Sequence, residues 1–292
     1  MGAVVARRAA VLGSPVAHSL SPVLHGAAYE ALGLRGWTYE RVECDAEALP
    51  GLVTGLDDEW VGLSVTMPGK KAALEVSTSA SDRARRLGVA NTLVRAPDGW
   101  AADCTDVDGV AGALRAAGVV DVPAIGAGTV DAVLLGAGST ASAAVGALYE
   151  IGNEAVTVVV REPARAAETL EMARGYGMDR RAIRFDEVLD RDLAAAKALV
   201  NTTPAGSVDD TLAARLVGAL PSWAVVLDAV YHPWPTPLAA AATRRGLAVA
   251  TGLDMLLHQA FGQVEQFTGL AAPRAAMHEA LVRATGFEAR SP

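Results

Sequence analysis

Lysine is almost missing from this chain. Lys70, Lys71 and Lys197 are the only three, so arginine supplies the other 22 of its 25 basic residues. Arginine serves wherever any positive charge will do. A position that keeps lysine points to something a guanidinium cannot do, because only an ammonium gives up its proton when its surroundings shift it. Cysteine is equally scarce: Cys44 and Cys104, alone in 292 residues, exclude a disulfide framework. The five histidines, at 18, 25, 232, 258 and 278, show no metal-ligand spacing, and no metal is expected. No apolar run approaches the ~18 residues of a membrane span. The opening Met1–Arg8 lacks the layout of a signal peptide, and Ala6 stands where a myristoylation motif wants Ser or Thr. A net charge of −8 argues against nucleic acid, whose phosphates want a basic face. The expectation is a cytoplasmic protein, monomer or homodimer, whose partners are small molecules rather than nucleic acid or membrane.

Apolar residues make up 51% of the chain, much of it alanine, which suits close-packed helices better than bulky β-sandwich cores. The length suggests two domains of ~100–200 residues each. In the first third, strand and helix alternate. Ala9–Gly13 reads as a strand, and Ser21-Pro22 as an N-cap with proline at the first helical position of a helix to about Leu32. Trp37–Glu43 and Val61–Thr66 read as strands, with Asp45 capping a helix toward Leu56 between them. Ser81–Leu87 reads as a short helix. Val89–Arg95 and Trp100–Asp103 form a hairpin around Pro97-Asp98-Gly99, and Asp106–Ala117 is helical. Gly118–Val130 is the linker candidate. Beyond it come strands at Ala132–Leu135, Ala155–Val160, Ala182–Phe185, Ala198–Val200, Ala224–Leu227 and Ala248–Ala250, with helices between, then helices over Asp254–Thr268 and Pro273–Thr285. Repeated alternation of this kind predicts a parallel sheet with right-handed crossovers, hence an α/β fold.

Val133-Leu134-Leu135 runs into Gly136-Ala137-Gly138-Ser139-Thr140-Ala141, a G-x-G-x-x-A turn between strand and helix. Gly136 permits the tight turn, Gly138 lets backbone approach a pyrophosphate, and Ala141 lets helix pack on strand. The next strand ends Val160-Arg161-Glu162-Pro163-Ala164-Arg165. An acid at such a strand end takes the ribose of NAD, while arginine accommodates the 2′-phosphate of NADP. Arg161 and Arg165 therefore favour NADP: Glu162 would repel a phosphate if it faced inward, but Arg161 lies first on the strand exit.

Polar residues also gather where strands of the first third end: Ser19 and Ser21, Thr66 and Lys70, Asn91 and Thr92, and Asp106. Late in the chain come Asp228, Tyr231 and His232, then Thr236-Pro237-Leu238, and finally Gly252-Leu253-Asp254-Met255-Leu256-Leu257-His258-Gln259-Ala260. A glutamine on an apolar helix face, such as Gln259, suits a ligand better than a core. The histidines read as structural.

In this order the motifs resemble those of the shikimate dehydrogenase family. G-x-P-x-x-H-S-x-S-P matches at Gly13 to Pro22, V-T-x-P-x-K at Val65 to Lys70, A-x-N-T approximately at Gly88 to Thr92, and T-D-x-x-G at Thr105 to Gly109. D-x-x-Y-x-P-x-x-T-P-L matches at Asp228 to Leu238 and M-L-x-x-Q-A at Met255 to Ala260. The resemblance implies a substrate-binding catalytic domain over residues 1–117, completed by 253–292, and a Rossmann-type NADP domain over 118–252. It implies reduction of 3-dehydroshikimate to shikimate with NADPH, in aromatic amino-acid biosynthesis. The family's catalytic pair falls on Lys70 and Asp106, and its substrate contacts on Ser19, Ser21, Thr66, Asn91, Tyr231 and Gln259. Cofactor contacts are expected at Gly136, Ala137, Gly138, Ser139, Thr140, Ala141, Arg161, Arg165, Thr202 and Gly252. The chain departs from the family's frequent Asn at Gly26, Ser64, Cys104 and Val160, and has Glu162 where Ser or Thr is usual. A quinate-active enzyme using NAD, and a nucleotide-binding regulator without turnover, are the alternatives.

Overall fold

The computed structural model describes residues 6–119 and 131–286, so the expected linker lies largely outside the described residues. They pack as two compact units. One comprises the residues through Asp106 together with those from Leu256 onward; the other runs Val107–Met255.

The first unit begins β1 (Arg7–Gly13), α1 (Ser21–Ala31), β2 (Trp37–Glu43), α2 (Leu49–Thr54), β3 (Trp60–Val65), α3 (Lys70–Val76) and β4 (Ser79–Ala80). It continues with α4 (Asp82–Leu87), β5 (Thr92–Ala96) and β6 (Gly99–Asp103), after which α5 (Asp106–Ala116) leads into the second unit. Its sheet has the order β2-β1-β3-β5-β6-β4, with β1 parallel to both neighbours and β5 antiparallel to β3 and β6. The run Ala9-Ala10-Val11-Leu12 is buried throughout, as a strand covered on both faces requires. Leu12, Leu49, Leu63, Leu93, Trp60 and Trp100 form the core beneath it.

Three local expectations shift. Ser21 does not cap α1: Leu20 holds the N-cap position, and Ser21 is the first helical residue. The Ser21 N–H is taken instead by Ser19 Oγ at 3.3 Å. Asp45 binds the N–H groups of Glu47 and Ala48 at 3.1 and 2.8 Å, closing a turn, so α2 starts only at Leu49. The hairpin's first strand begins at Thr92, because Val89–Asn91 form the bend that presents Asn91.

The second unit carries β7 (Asp131–Leu135), α6 (Ser139–Glu150), β8 (Ala155–Val160), a 3₁₀ turn at Pro163–Ala166, α7 (Ala167–Gly175) and β9 (Asp179–Arg184). Then come α8 (Asp190–Leu193), β10 (Ala196–Asn201), α9 (Asp210–Ala219), β11 (Val225–Asp228), α10 (Pro237–Arg244) and β12 (Ala248–Thr251). All six strands are parallel, in the order β12-β11-β10-β7-β8-β9. This is the doubly wound order of Rossmann-type folds, with its reversal between β7 and β10, the place where such sheets bind ligands. The edge strand β9 starts earlier than expected, since its charged Asp179-Arg180-Arg181 lead hides the apolar period; charges of this kind protect sheet edges.

Two helices end the described chain, α11 (Gly252–Thr268) and α12 (Arg274–Thr285), and α12 packs along α1. Among the described residues, no helix is long and apolar enough to cross a membrane.

Candidate active site

In the first unit, β3 runs into the turn Thr66-Met67-Pro68-Gly69, and Lys70 is the first residue of the helix that follows. Asp106 opens α5 just beyond the end of β6, where a carboxylate also complements a helix dipole. The two side chains meet inside the unit. Lys70 Nζ donates to Asp106 Oδ2 at 2.5 Å, and the residues are only 8% and 6% exposed. Burial pushes the Lys70 ammonium toward losing its proton, but the charge and hydrogen bond of Asp106 outweigh it, so the net shift is upward from the ordinary lysine value. Lys70 is therefore an ammonium at neutral pH. Cys104 beside it is fully buried; burial first and the Asp106 charge second push its thiol up to about 12, so it stays a neutral thiol.

The other oxygen of Asp106 belongs to Asn91, whose Nδ2 donates to Oδ1 at 2.9 Å and to Gln259 Oε1 at 3.3 Å. Asn91 Oδ1 accepts from the Thr105 N–H at 2.7 Å and from Thr92 Oγ1 at 2.9 Å. Both ends of this amide are thus fixed. Lys70, Asp106, Asn91 and Gln259, singled out from distant motifs, form one cluster.

A second layer lies outside every motif read from the sequence. Gln263, one turn beyond Gln259 on α11, donates to the Asn91 carbonyl at 3.2 Å and to Thr92 Oγ1 at 3.1 Å. Its Oε1 accepts from Ser64 Oγ at 2.7 Å, and Ser64 in turn accepts from the Tyr39 hydroxyl at 2.6 Å. Gln266 completes the stripe, donating to Asp103 Oδ2 at 2.7 Å. Spacings of four and three residues put the three glutamines on one face of the helix. That spacing is the signal by which the layer could have been found. Ser64, a departure from the family pattern, is thus supported by Gln263. His25 is fully buried, stacked at 3.9 Å on Tyr39 and hydrogen-bonded to Gln263; burial pulls it down to about 3, so it is a neutral packing residue.

Ser21 is buried, with its hydroxyl beside the Tyr39 phenol that donates to Ser64. Ser19 and Thr66 are half-buried, and neither side chain bonds the Lys70–Asp106 pair.

The second unit holds the remaining expected residues. Gly136, at φ +102°, turns the chain out of β7, and a Cβ there would stand 2.7 Å from Thr202 Oγ1. Thr202, just past β10, donates that hydroxyl to the Leu135 carbonyl at 2.8 Å. The two therefore meet at the sheet's topological switch. Gly138 offers α6 no side-chain cap, leaving the first-turn N–H groups of Ser139, Thr140 and Ala141 as anion donors. Gly252 packs so closely on the chain after β11 that a Cβ would stand 2.2 Å from the Ala229 carbonyl oxygen. Arg161 and Arg165 are exposed just past β8, with no ion-pair partner among the described residues. Arg184 lies opposite Val160 at the end of β9, pairs with Asp186 at 3.0 Å, and feels the charge of Glu162. An uncapped helix start, a glycine cradle and two unpaired arginines fit a phosphorylated dinucleotide. Tyr231, 37% exposed, follows β11, where Asp228 holds Asn201, Thr236 and the Val230 N–H. Among the described residues, no group of His, Cys, Asp or Glu could hold a metal ion.

Known proteins resemble this chain in sequence and fold. Residues 11–93 match the model of the shikimate dehydrogenase substrate binding domain, and residues 252–282 that of the shikimate 5′-dehydrogenase C-terminal domain. The chain is 40% identical to a shikimate dehydrogenase (NADP(+)) of Methylobacterium radiotolerans, over 90% of this chain and 91% of the relative. It is 38% identical to one from Thermus thermophilus, over 96% and 99%. Among solved structures, Mycobacterium tuberculosis shikimate dehydrogenase superposes with a TM-score of 0.85 at 52% identity, covering 95% of this chain and 99% of that one. Shikimate 5-dehydrogenase from a second strain of Thermus thermophilus, in complex with NADP(H) and shikimate, gives a TM-score of 0.80 at 35% identity, over 95% and 99%.

Proposed function

The chain belongs to the shikimate dehydrogenase family, and from that premise we propose that it is the cytoplasmic enzyme reducing 3-dehydroshikimate to shikimate with NADPH, in aromatic amino-acid biosynthesis. The observation that carries the reading is the buried Lys70–Asp106 pair, held at its second oxygen by Asn91. The first unit takes the ring acid and the second the nucleotide.

Gly136 to Ala141 hold the pyrophosphate, Arg161 and Arg165 the 2′-phosphate, and Thr202 and Gly252 flank the same strand ends. Bound NADPH supplies the hydride that reduces the ring ketone. Negative charge then builds on the ketone oxygen, and Lys70 donates the proton that turns it into a hydroxyl. General acid help of this kind is worth roughly 10²–10⁴-fold. The proton is available because Asp106 keeps the amine charged. Asp106, an acceptor, also orients the ammonium and takes a hydrogen bond from a ring hydroxyl. The amides of Asn91 and Gln259 and the Thr66 hydroxyl select the remaining ring hydroxyls, while the Ser19 and Ser21 hydroxyls face the carboxylate. In the oxidising direction Lys70 must first lose its proton.

The test is a matrix of shikimate and quinate against NADP and NAD, followed by nicotinamide absorbance. Shikimate with NADP is the expected best pair. Absence of turnover in every pair overturns the enzyme reading, and a preference for quinate with NAD overturns the substrate and cofactor assignment.

A further inference from the structure

The ring acid of the proposed reaction carries a carboxylate. Ser19 and Ser21 offer it hydroxyls, which hydrogen-bond an anion without balancing its charge, and no arginine neighbours them in sequence. The fold brings one from β2. Arg41 donates from Nε at 2.9 Å and from Nη2 at 2.6 Å to a single atom, the Ser19 carbonyl oxygen. Tyr39, two residues earlier and so on the same face of the strand, has the Ser21 hydroxyl beside its phenol. One face of β2 therefore lies along the Ser19–Ser21 segment, with a phenol at one end and a guanidinium at the other.

The neighbouring carboxylates are engaged elsewhere. Glu43, next on that face, accepts from Ser14 Oγ at 2.7 Å and from the Val16 N–H at 3.1 Å. Glu40 pairs with Arg8 at 2.7 Å. Among the described residues Arg41 has no ion-pair partner, and its Nη1 makes no hydrogen bond. A guanidinium spreads five donors over a rigid plane, so it can hold a backbone carbonyl and still attract an anion.

We infer that Arg41 is a specificity-determining residue: its guanidinium fixes the Ser19 backbone and supplies the positive charge that a substrate carboxylate meets at Ser19 and Ser21. The inference rests on the proposed ring-acid activity. It makes the site select anionic ring acids over uncharged analogues of the same shape.

A substrate–variant cycle tests it. Wild type, Arg41→Met and Arg41→Lys are assayed for NADP-dependent oxidation of shikimate and of its uncharged methyl ester, with thermal melts showing that the exposed substitutions leave the fold intact. Losing one partly exposed charge partner corresponds to roughly a 5-fold effect. Arg41→Met should raise KM for shikimate by about that factor while kcat changes less, Arg41→Lys should recover part of it, and KM for the ester should rise clearly less. Equal rises for acid and ester would mean that Arg41 only holds the loop, and no rise would remove it from recognition; either result overturns the inference alone. Wild type that oxidises neither compound overturns the proposed activity, and the inference with it.

Discussion

Asn91 Nδ2 sits 2.9 Å from the Asp106 oxygen that Lys70 does not use. One carboxylate is therefore held at both oxygens, by an ammonium on one side and an amide on the other. Its orientation is set before any ligand arrives, which is the preorganisation that makes electrostatic catalysis effective.

Lys70 should be irreplaceable for turnover. Lys70→Ala is expected to lower kcat roughly 10²–10⁴-fold while shikimate binding, read by calorimetry, persists. Lys70→Arg should fare nearly as badly, because a guanidinium keeps its proton. Substantial turnover in the Arg variant would remove Lys70 as proton donor.

The pH dependence follows from the sign of the Lys70 shift. Burial lowers its pKa and Asp106 raises it by more, so the neutral amine that the proposed oxidation requires appears only on the alkaline side. The oxidation rate should climb with pH there. Asp106→Asn removes the raising influence and leaves burial, so the climb should move to lower pH while the maximal rate falls. Full pH–rate profiles of both proteins check this; an unmoved profile would separate Asp106 from the titration of Lys70.

Asp103 makes a stability prediction on the acid side. Burial raises its pKa, but hydrogen bonds from Arg83 and Ser81 and the Arg83 charge win, taking it down to about 2. A depressed carboxylate stabilises the fold above its unfolded value of about 3.9 and loses that contribution as pH falls toward the folded value. Arg83→Ala should cost about 1–2 kcal/mol at pH 7, allowing for solvent screening, and much less near pH 2. Urea unfolding at several pH values reads the difference.

Gly136→Ala tests the nucleotide turn. The residue has φ +102°, and a methyl group would press on Thr202. Strain of about 1–3 kcal/mol is expected, seen as a lower Tm together with weaker NADP binding. An unchanged Tm would mean that the turn relaxes without cost.

Arg161→Ala combined with Arg165→Ala should raise KM for NADP at least ~10-fold, as loss of charge-assisted hydrogen bonds to a phosphate implies. KM for NAD, which lacks the 2′-phosphate, should change little. Equal effects on both cofactors would place the two arginines outside phosphate recognition.

Much of this was legible in the residues themselves. Strand–helix alternation gave the α/β class, and the polar residues gather beyond strand ends because the loops there are where such sheets bind ligands. Trp37–Glu43 and Ala155–Val160 stand at the expected positions, since their β-branched and aromatic runs have clear ends. The supporting layer is hidden for a physical reason. Gln263, Tyr39 and Arg41 belong to no local motif, and each matters only through what tertiary packing sets against it. The start of α1 differs from its expected form because Ser19, not Ser21, supplies the side-chain acceptor at that helix entrance.

The glutamine stripe of α11 reaches back across 163 to 171 residues of chain to grip the ends of β5 and β6. A ribosome making this protein therefore releases Lys70 and Asp106 long before the amides that brace their surroundings exist. The intervening nucleotide unit must be synthesised first, so this bracing is completed late. Proteolytic loss of α11 would leave the lysine and its carboxylate in the polypeptide while removing the clamp that holds Asn91.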